Sequence, residues 1–465
     1  MNRHKHSILQ INTYGIAGGA GKAAYRLHNG LLRIGQHSRY LVKEVKSSDP
    51  TIFTAELDND FEEKLKTDHL INKYYIWFNR TLLSNTYFSF SYPGYDLSRS
   101  QLLQDADIVN LHWTEDFLSP ISLNSIFALN KPVIWTLHDQ KPFTGGCHYS
   151  AGCKNYRDLC RDCPQLQDDP FGLPTAVLKD KMELFYGADL TVVTPSSWLA
   201  KEARESSLFK SNRVEVLPNS IDADIYYPVE KNAAKIQIGI DPDTVTIMFG
   251  TADAREDRKG LRYLISALSY CIKDKEFKRL ADAKKVVIIC VGKMDASIKS
   301  LPIPLLDMGY IEDDADMARI YNASDMFVLP SLEDNLPNTM LEAMACGTPV
   351  ISFDIGGMPD VIEDDVNGKL VSFKDDVQLS RAILDLVFNE KKRKFMGDRG
   401  TKIIREKYKL EDQAKSYLTL YDDLLNHRAS CNSDIARYGG FYGSSTQLIY
   451  RDLLQFALKK QAQRE

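Results

Sequence analysis

The chain of 465 residues has no stretch approaching 18 consecutive apolar residues, so we expect no helix that spans a membrane. Its first residues are basic but lead into a strand pattern at 7–12, without the apolar core of a signal peptide. A net charge of −5 disfavours a nucleic-acid binder that acts by general phosphate neutralisation. We also find no repeat and no low-complexity tract. These absences predict a cytoplasmic globular protein, and the length allows two domains.

Two common phosphate-binding patterns are missing as well. The glycine-rich segment 14–24 follows the first strand and opens into a helical pattern, but its spacing is neither G-x-G-x-x-G nor that of a P-loop. A nicotinamide or ATP site is therefore disfavoured. Gly18 and Gly19 would let the chain approach another ligand closely, and a tight strand-to-helix connection without a ligand fits the spacing equally well.

Strand-like runs alternate with helical patterns along most of the chain, which predicts an α/β fold with parallel sheets. The predicted strands lie near 7–12, 107–111, 132–137, 190–194, 244–249, 285–291, 326–330, 350–353 and 368–371. The segment 217–222 is typical of a linker between two sheets. We therefore expect two similar lobes with a cleft between them, and a further helix at 411–426.

The segment after the apolar run 326–330 carries the clearest binding signal. Pro337 suits the first turn of a helix, and Gly347 with Pro349 would end that helix before the next strand. A helix that starts at the carboxyl end of a strand offers amide groups to polar ligand atoms, and acids beside it suit a ligand rich in hydroxyls. The candidate ligand-binding residues are Glu333, Asp334, Asn335, Leu336, Pro337, Asn338, Thr339 and Glu342.

Two further loops follow predicted strands. Arg255, Arg258 and Lys259 lie in the loop 250–260 and would neutralise a diphosphate, although a solvated loop that pairs with its own acids is the alternative. His138 and Asp139 follow the strand at 132–137, where Asp139 could orient the imidazole ring. His112 ends a neighbouring strand, either lining an acceptor site or packing in the core.

A cysteine cluster comes soon after His138. Its members are Cys147, Cys153, Cys160 and Cys163. The last two have the spacing of half a zinc knuckle, while a cytosolic chain rarely uses disulfides. Structural zinc, paired disulfides and reduced thiols stay open as alternatives.

Taken together, these segments resemble the nucleotide-sugar-dependent glycosyltransferases of the GT-B fold, in particular the retaining family GT4. The most specific match is the segment 325–351 followed by Gly356 and Gly357, which looks like the E-x7-E region of that family. Supporting matches are the Gly18-Gly19 loop, His138-Asp139 and the segments 216–222, 258–260 and 366–370. The cysteine cluster is similar to that of a polysaccharide-assembly subset.

The resemblance implies two Rossmann-like parallel-sheet domains that face a central cleft. Residues 1–216 would form the acceptor-side domain, with the cysteine cluster as an insertion at 145–165. Residues 217–410 would bind the nucleotide sugar, and helices in 411–465 would pack back on the first domain.

The resemblance also implies roles for single residues. Glu342 would hold the ribose hydroxyls and Asp334 the donor sugar, although aspartate stands where the family more often has glutamate and Glu333 is its rival. Lys259 would bind the diphosphate with Arg255, or less favourably with Arg258. His138 would lie near the reacting bond of the donor.

The implied reaction moves a sugar from a nucleoside-diphosphate sugar to a glycan or lipid-linked saccharide, with retention and without a metal in the chemistry. The implied role is bacterial capsule, exopolysaccharide or lipopolysaccharide synthesis, in the cytoplasm or at the inner face of its membrane. The amphipathic pattern at 446–460 suits a membrane surface, a partner, or packing on the protein body. The alternatives are an epimerase, a phosphorylase, or a binding scaffold without catalysis.

Overall fold

The computed structural model describes residues 5–45, 47–56 and 59–430, so the pattern at 446–460 lies outside the described residues. The chain divides into two compact units. The first runs to Leu217 and resumes at Gln413, and the second is Pro218–Asp412. Within the described ranges, no helix is both long and apolar enough to cross a membrane.

Each unit contains one parallel sheet with helices around it. The strands are β1 (Ser7–Tyr14), β2 (His37–Glu44), β3 (Ile52–Thr54), β4 (Ile108–Leu111), β5 (Val133–Thr136), β6 (Leu190–Thr194), β7 (Val214–Val216), β8 (Val245–Asp253), β9 (Val286–Lys293), β10 (Leu305–Asp307), β11 (Met326–Leu329), β12 (Val350–Phe353) and β13 (Gly368–Val371). The helices are α1 (Gly18–Arg33), α2 (Asn59–Asn79), α3 (Gln101–Gln104), α4 (Pro120–Phe127), α5 (Leu173–Leu184), α6 (Ser197–Glu205), α7 (Lys231–Gln237), α8 (Leu261–Cys271), α9 (Lys275–Asp282), α10 (Asp314–Ala323), α11 (Asn338–Ala345), α12 (Asp376–Phe388), α13 (Glu390–Lys407) and α14 (Leu410–Ser430).

All nine predicted strands are present, while β2, β3, β7 and β10 were not predicted. The strands that were found are mostly continuous apolar runs, which is what burial on both faces of a parallel sheet requires. By contrast, β3, β7 and β10 span only three residues each, and β2 mixes charged with apolar side chains. Short or mixed strands near a sheet edge carry too weak a pattern to be recognised in the sequence.

The strand order places one switch point in each sheet. The first sheet has the order β3-β2-β1-β4-β5-β6-β7, and the second has β10-β9-β8-β11-β12-β13. The order therefore reverses between β1 and β4, and again between β8 and β11. In open α/β sheets ligands bind beyond the carboxyl ends of the strands at such points.

The last described helix, α14, packs against the first sheet. Ala414, Tyr417 and Tyr421 are fully buried in one cluster with Ile8 of β1 and Ile134 of β5. The Tyr417 hydroxyl forms a hydrogen bond with the Thr136 hydroxyl at 3.0 Å. The helix thus covers one face of the sheet and completes the core of the first unit.

Candidate functional site

The loops that follow β8 and β11 are held together at the switch point of the second sheet. Gly260 has a φ of +72°, and a Cβ at this position would lie 1.8 Å from the carbonyl oxygen of Pro330. The amide of Leu332 also donates to the carbonyl oxygen of Arg258 at 2.7 Å. Only glycine permits this approach, which fixes Lys259 beside the loop that leads into α11.

The Asp334 carboxylate and two cations meet across these loops, and Glu256 of the first loop also accepts from Arg258 Nε at 3.0 Å. Lys259 Nζ donates to Asp334 Oδ2 at 2.8 Å, and an Arg258 guanidinium nitrogen lies 3.2 Å from Asp334 Oδ1. The same arginine donates to the carbonyl oxygen of Glu333 at 2.8 Å, and the Ser331 hydroxyl donates to Asp334 at 3.2 Å. The side chains of Lys259, Arg258 and Asp334 are only 20%, 11% and 9% exposed. The cluster is therefore largely shielded from water. Charge interactions are stronger in such an environment than in bulk water.

The cations determine the protonation of Asp334. Burial alone would raise the pKa of its carboxyl, but Lys259 and Arg258 outweigh burial and hold that pKa at about 2. Asp334 is thus an anion at neutral pH and accepts hydrogen bonds only. Because Asp334 rather than Glu333 supplies the carboxylate to the cluster, the geometry favours Asp334 as the first acid of the motif.

The structure places Arg258, and not Arg255, beside Lys259 and Asp334. Arg255 donates to both carboxylate oxygens of Asp253, and its side chain is 56% exposed. The reason lies in β8, which extends to Asp253 and so leaves Arg255 only two residues beyond the end of the strand. The preference for Arg255 over Arg258 drawn from the sequence is therefore not supported by this arrangement.

The first turn of α11 is positioned by groups that the sequence interpretation missed. Pro337 is the N-cap rather than a first-turn residue, and no side chain caps the helix there. Asn219, assigned to a linker from the sequence, donates to the carbonyl oxygen of Leu336 and to Asn338 Oδ1, each at 3.2 Å. The amide of Gly357 donates to the Asn335 carbonyl oxygen at 2.7 Å. These bonds fix the loop and the start of α11, and among them only the bond to Asn338 uses a side chain of α11.

The two ends of the candidate segment differ in exposure. Asn338 and Thr339 are half-buried, whereas Glu342 is only 3% exposed. The Tyr321 hydroxyl donates to Glu342 Oε2 at 3.1 Å. Tyr321 lies on α10, and nothing in the local sequence indicates that it orients this carboxylate.

Substitution of Gly260 by alanine tests whether the two loops must approach so closely. Gly239 serves as a matched control because its φ is +78° but a Cβ there meets nothing within 4 Å. Both variants incur strain of about 1 kcal/mol from the left-handed backbone, and the clash at Gly260 adds about 2 kcal/mol. Thermal unfolding followed by circular dichroism should show the larger loss for Gly260→Ala. Equal losses would contradict the loop contact.

The low pKa of Asp334 predicts a specific dependence of stability on pH. Its pKa falls from the ordinary 3.8 to about 2 on folding, so its stabilising effect is complete above 3.8 and is lost as pH falls towards 2. The wild type should be more stable than Asp334→Asn at pH 5. This difference in the free energy of unfolding should shrink by about 1 kcal/mol between pH 5 and pH 3. Urea unfolding at both pH values measures this, with Asp282→Asn on the surface of α9 as control. An unchanged difference would show that the cations do not depress this pKa.

In the first unit, His138 pairs with a second histidine. His138 Nε2 lies 3.1 Å from His112 Nδ1, and His112 Nε2 lies 2.7 Å from Gln10 Oε1. Burial lowers the pKa of His138 to about 4 and lowers that of His112 well below its ordinary value. Both rings are therefore neutral at pH 7. Because Gln10 Oε1 accepts a hydrogen bond from His112 Nε2–H, the other ring nitrogen of His112 is the acceptor for His138 Nε2–H.

Asp139 has different partners from those expected. Its carboxylate accepts from His148 Nδ1 at 2.6 Å, from the Trp113 indole at 3.1 Å and from the Lys141 amide at 2.9 Å. Burial raises the pKa of Asp139, but His148 and these hydrogen bonds outweigh burial and lower it. The structure thus indicates His112 as the neighbour that orients His138, and Asp139 as a support for Trp113 and His148.

The glycine loop and the cysteine cluster also lie in the first unit. Gly18 and Gly19 begin α1 directly after β1, and a Cβ at either position would meet nothing within 4 Å. The cysteines are unpaired and line a small cavity of about 20 Å³. Among the described residues, no three His, Cys, Asp or Glu side chains are placed to hold a metal ion. The zinc prediction therefore gains no support.

The match to a known family model lies within the second unit. Residues 243–389 match the family model for glycosyl transferases group 1. The putative colanic acid biosynthesis glycosyl transferase WcaC of Escherichia coli K12 is 24% identical over 390 residues, which is 80% of this chain and 89% of WcaC. A D-inositol 3-phosphate glycosyltransferase of Segniliparus rotundus is 26% identical over 254 residues, and the match spans about half of each chain, 54%. These similarities support a relationship between this chain and the group 1 glycosyltransferases.

Solved structures show the same fold at low sequence identity. Anabaena Alr3699/HepE, in complex with UDP and glucose, has a TM-score of 0.60 and 15% identity, and the alignment covers 90% of this chain and 99% of the other. A glycosyltransferase from Rickettsia africae has a TM-score of 0.61 and 14% identity, with 93% and 100% covered. The protein has the GT-B fold with two Rossmann-like domains, as predicted.

Proposed function

We propose that this protein is a retaining glycosyltransferase that moves a sugar from a nucleoside-diphosphate sugar to an acceptor hydroxyl in the synthesis of a bacterial surface polysaccharide. The cluster of Lys259, Arg258 and Asp334 at a switch point carries the proposal. Support for the donor class comes from the UDP and glucose bound to HepE, and support for the pathway comes from the similarity to WcaC, a putative colanic acid biosynthesis glycosyl transferase.

The cluster has the charges that departure of a diphosphate requires. Cleavage of the bond between the sugar and the diphosphate leaves negative charge on the phosphate oxygens, and fixed cations stabilise that charge in the transition state. Lys259 supplies a point charge, Arg258 a planar fork, and the amides of the first turn of α11 a partial positive charge. Asp334 orients both cations, and as an anion it accepts hydrogen bonds from sugar hydroxyls. This charge set needs no metal ion.

A screen of UDP-, GDP- and ADP-sugars tests the proposal directly. Purified protein should release nucleoside diphosphate from at least one donor, faster with a saccharide acceptor than without, and the product should keep the anomeric configuration of the donor by NMR. Added EDTA should not change the rate. An epimerised nucleotide sugar or a sugar phosphate as product would instead identify an epimerase or a phosphorylase. Absence of turnover with every donor would identify a binding scaffold.

A further inference from the structure

Three aromatic side chains lie together at the switch point of the first sheet. Tyr14 ends β1, Trp113 follows β4, and their rings stack with centroids 5.5 Å apart and an angle of 24° between the planes. The Tyr87 ring lies 6.2 Å from that of Trp113. Tyr14 is 39% exposed and Tyr87 42% exposed, while Trp113 is half-buried. Partly exposed aromatic rings where ligands usually collect in such sheets point to a binding surface.

The rings are held in place by bonds that require no ligand. The Trp113 indole N–H donates to Asp139 Oδ2 at 3.1 Å, and the Trp113 amide donates to Asn12 Oδ1 at 2.9 Å. The side-chain amide of Asn12 donates in turn to the carbonyl oxygen of Tyr14 at 2.5 Å. One asparagine therefore fixes the ends of both strands. Because the rings are ordered in advance, a ligand would lose little affinity in ordering them.

A carboxylate borders this aromatic surface. Asp116 has a φ of +58°, a conformation that is uncommon outside glycine and that clusters at functional sites. Its Oδ2 accepts from the Tyr87 hydroxyl at 3.0 Å, and its side chain is 15% exposed. Burial, reinforced by the Asp116 charge, raises the pKa of both Tyr14 and Tyr87. Both phenols therefore stay protonated at neutral pH, and Tyr87 donates its proton to Asp116 while the Tyr14 hydroxyl can donate to a ligand.

These features select one class of ligand. A pyranose ring has a face of C–H groups that packs on the electron-rich face of an aromatic ring, and hydroxyls at its edge that a carboxylate or phenol can bond. The carboxylates of Asp116 and Glu44 near Tyr14 disfavour a phosphate there, and a nearby cation, Lys43, already donates to the carbonyl oxygen of Asp116 at 2.9 Å. A purely apolar ligand would leave the polar border unpaired.

We propose that Tyr14, Trp113 and Tyr87 form a stacking subsite for a sugar ring of the acceptor, with Asp116 accepting a hydrogen bond from one of its hydroxyls. This subsite rests on the proposed transferase function and specifies its acceptor as a saccharide. Asp139 acts through Trp113 as a positioning residue. The subsite lies wholly within the first unit, so its residues can be changed without altering the cluster around Lys259.

Direct binding is the first test. The probes are methyl glycosides of glucose, galactose, mannose and N-acetylglucosamine, with maltose and cellobiose, titrated by calorimetry and by saturation-transfer NMR. At least one probe should bind the wild type, and Trp113→Ala and Tyr14→Ala should each weaken its binding about tenfold. Trp113→Phe keeps an aromatic face and should lose less than about threefold. Matched controls are Trp77→Ala and Tyr186→Ala, since these rings are 64% and 90% exposed in the same unit.

Kinetics separate this subsite from the transferase proposal. With the donor found in the screen, Trp113→Ala and Tyr14→Ala should raise the acceptor KM about tenfold. The control variants Trp77→Ala and Tyr186→Ala should keep both the acceptor KM and the rate of nucleoside diphosphate release of the wild type. If no donor is turned over, the transferase proposal fails and the binding experiment still decides the subsite. Lack of binding by every probe, or equal binding by wild type, Trp113→Ala and Tyr14→Ala, would overturn it. Trp113→Phe and the surface residue Tyr14 keep the test decisive even if Trp113→Ala fails to fold.

Discussion

Replacement of Lys259 by alanine is expected to lower the rate of sugar transfer by about 10²- to 10³-fold, the loss typical of removing one fixed group that stabilises transition-state charge. Its Nζ lies 2.8 Å from Asp334, so it is held in place before any ligand binds. The loss should fall on kcat as well as on kcat/KM, because negative charge develops on the diphosphate as the bond breaks. Initial rates of nucleoside diphosphate release measure both quantities.

The fold should survive this substitution. Removing one partner of a buried ion pair is normally costly, but Arg258 remains 3.2 Å from the Asp334 carboxylate and continues to neutralise it. Lys278→Ala is a suitable control because Lys278 forms an exposed pair with Asp282 on α9. Circular dichroism should be the same for both variants. Near-normal turnover by Lys259→Ala, with intact structure, would remove Lys259 from the mechanism.

Local signals in the sequence were sufficient to predict the elements that carry the candidate donor site. The apolar run of β11, Pro337 near the helix start, and Gly347 after its end together specify strand, helix and bounds to within about one residue. None of these signals requires knowledge of distant residues. The same reasoning predicted the strand β8 that precedes the cation loop.

Contacts between loops could not be predicted, because they depend on strand order. β8 pairs with β11 although β9 and β10 separate them in the chain. That adjacency places Arg258, rather than Arg255, beside Asp334. The sequence contains no local signal for this contact. His138 and Asp139 gave a similar difficulty. Adjacent residues at a strand end point in different directions, so the partner of His138 is His112 on the neighbouring strand.

The aromatic surface could not be recognised in the sequence, although its residues were in view. Tyr14 opens the glycine-rich segment and Trp113 follows His112, yet neither has a spacing that marks a binding motif. They come together because β1 and β4 are neighbours across the switch point. The sequence shows which residues follow one another along the chain, whereas the aromatic surface depends on which strands are neighbours in the sheet.

Arg258 and Arg255 give the second large expected effect, because their roles should differ strongly. Arg258→Ala should lower kcat/KM by about 10²-fold, since it removes the guanidinium that lies 3.2 Å from Asp334 and leaves Lys259 as the sole cation of the cluster. Arg258→Lys keeps the charge but loses the planar fork, so about a tenfold loss is expected. Arg255→Ala should change the rate less than about threefold, because an exposed pair such as Arg255 and Asp253 contributes little.

The comparison requires only initial rates at several donor concentrations, because all three variants change the same loop. Bound donor could draw the exposed Arg255 side chain away from Asp253 and towards the diphosphate. In that case Arg255→Ala would raise the donor KM more than Arg258→Ala, and the assignment drawn from the sequence would be correct. If Arg258→Ala causes the larger loss, the contact between the loops determines which arginine serves the diphosphate, since Gly260 and the bond from Leu332 to Arg258 fix that loop against β11.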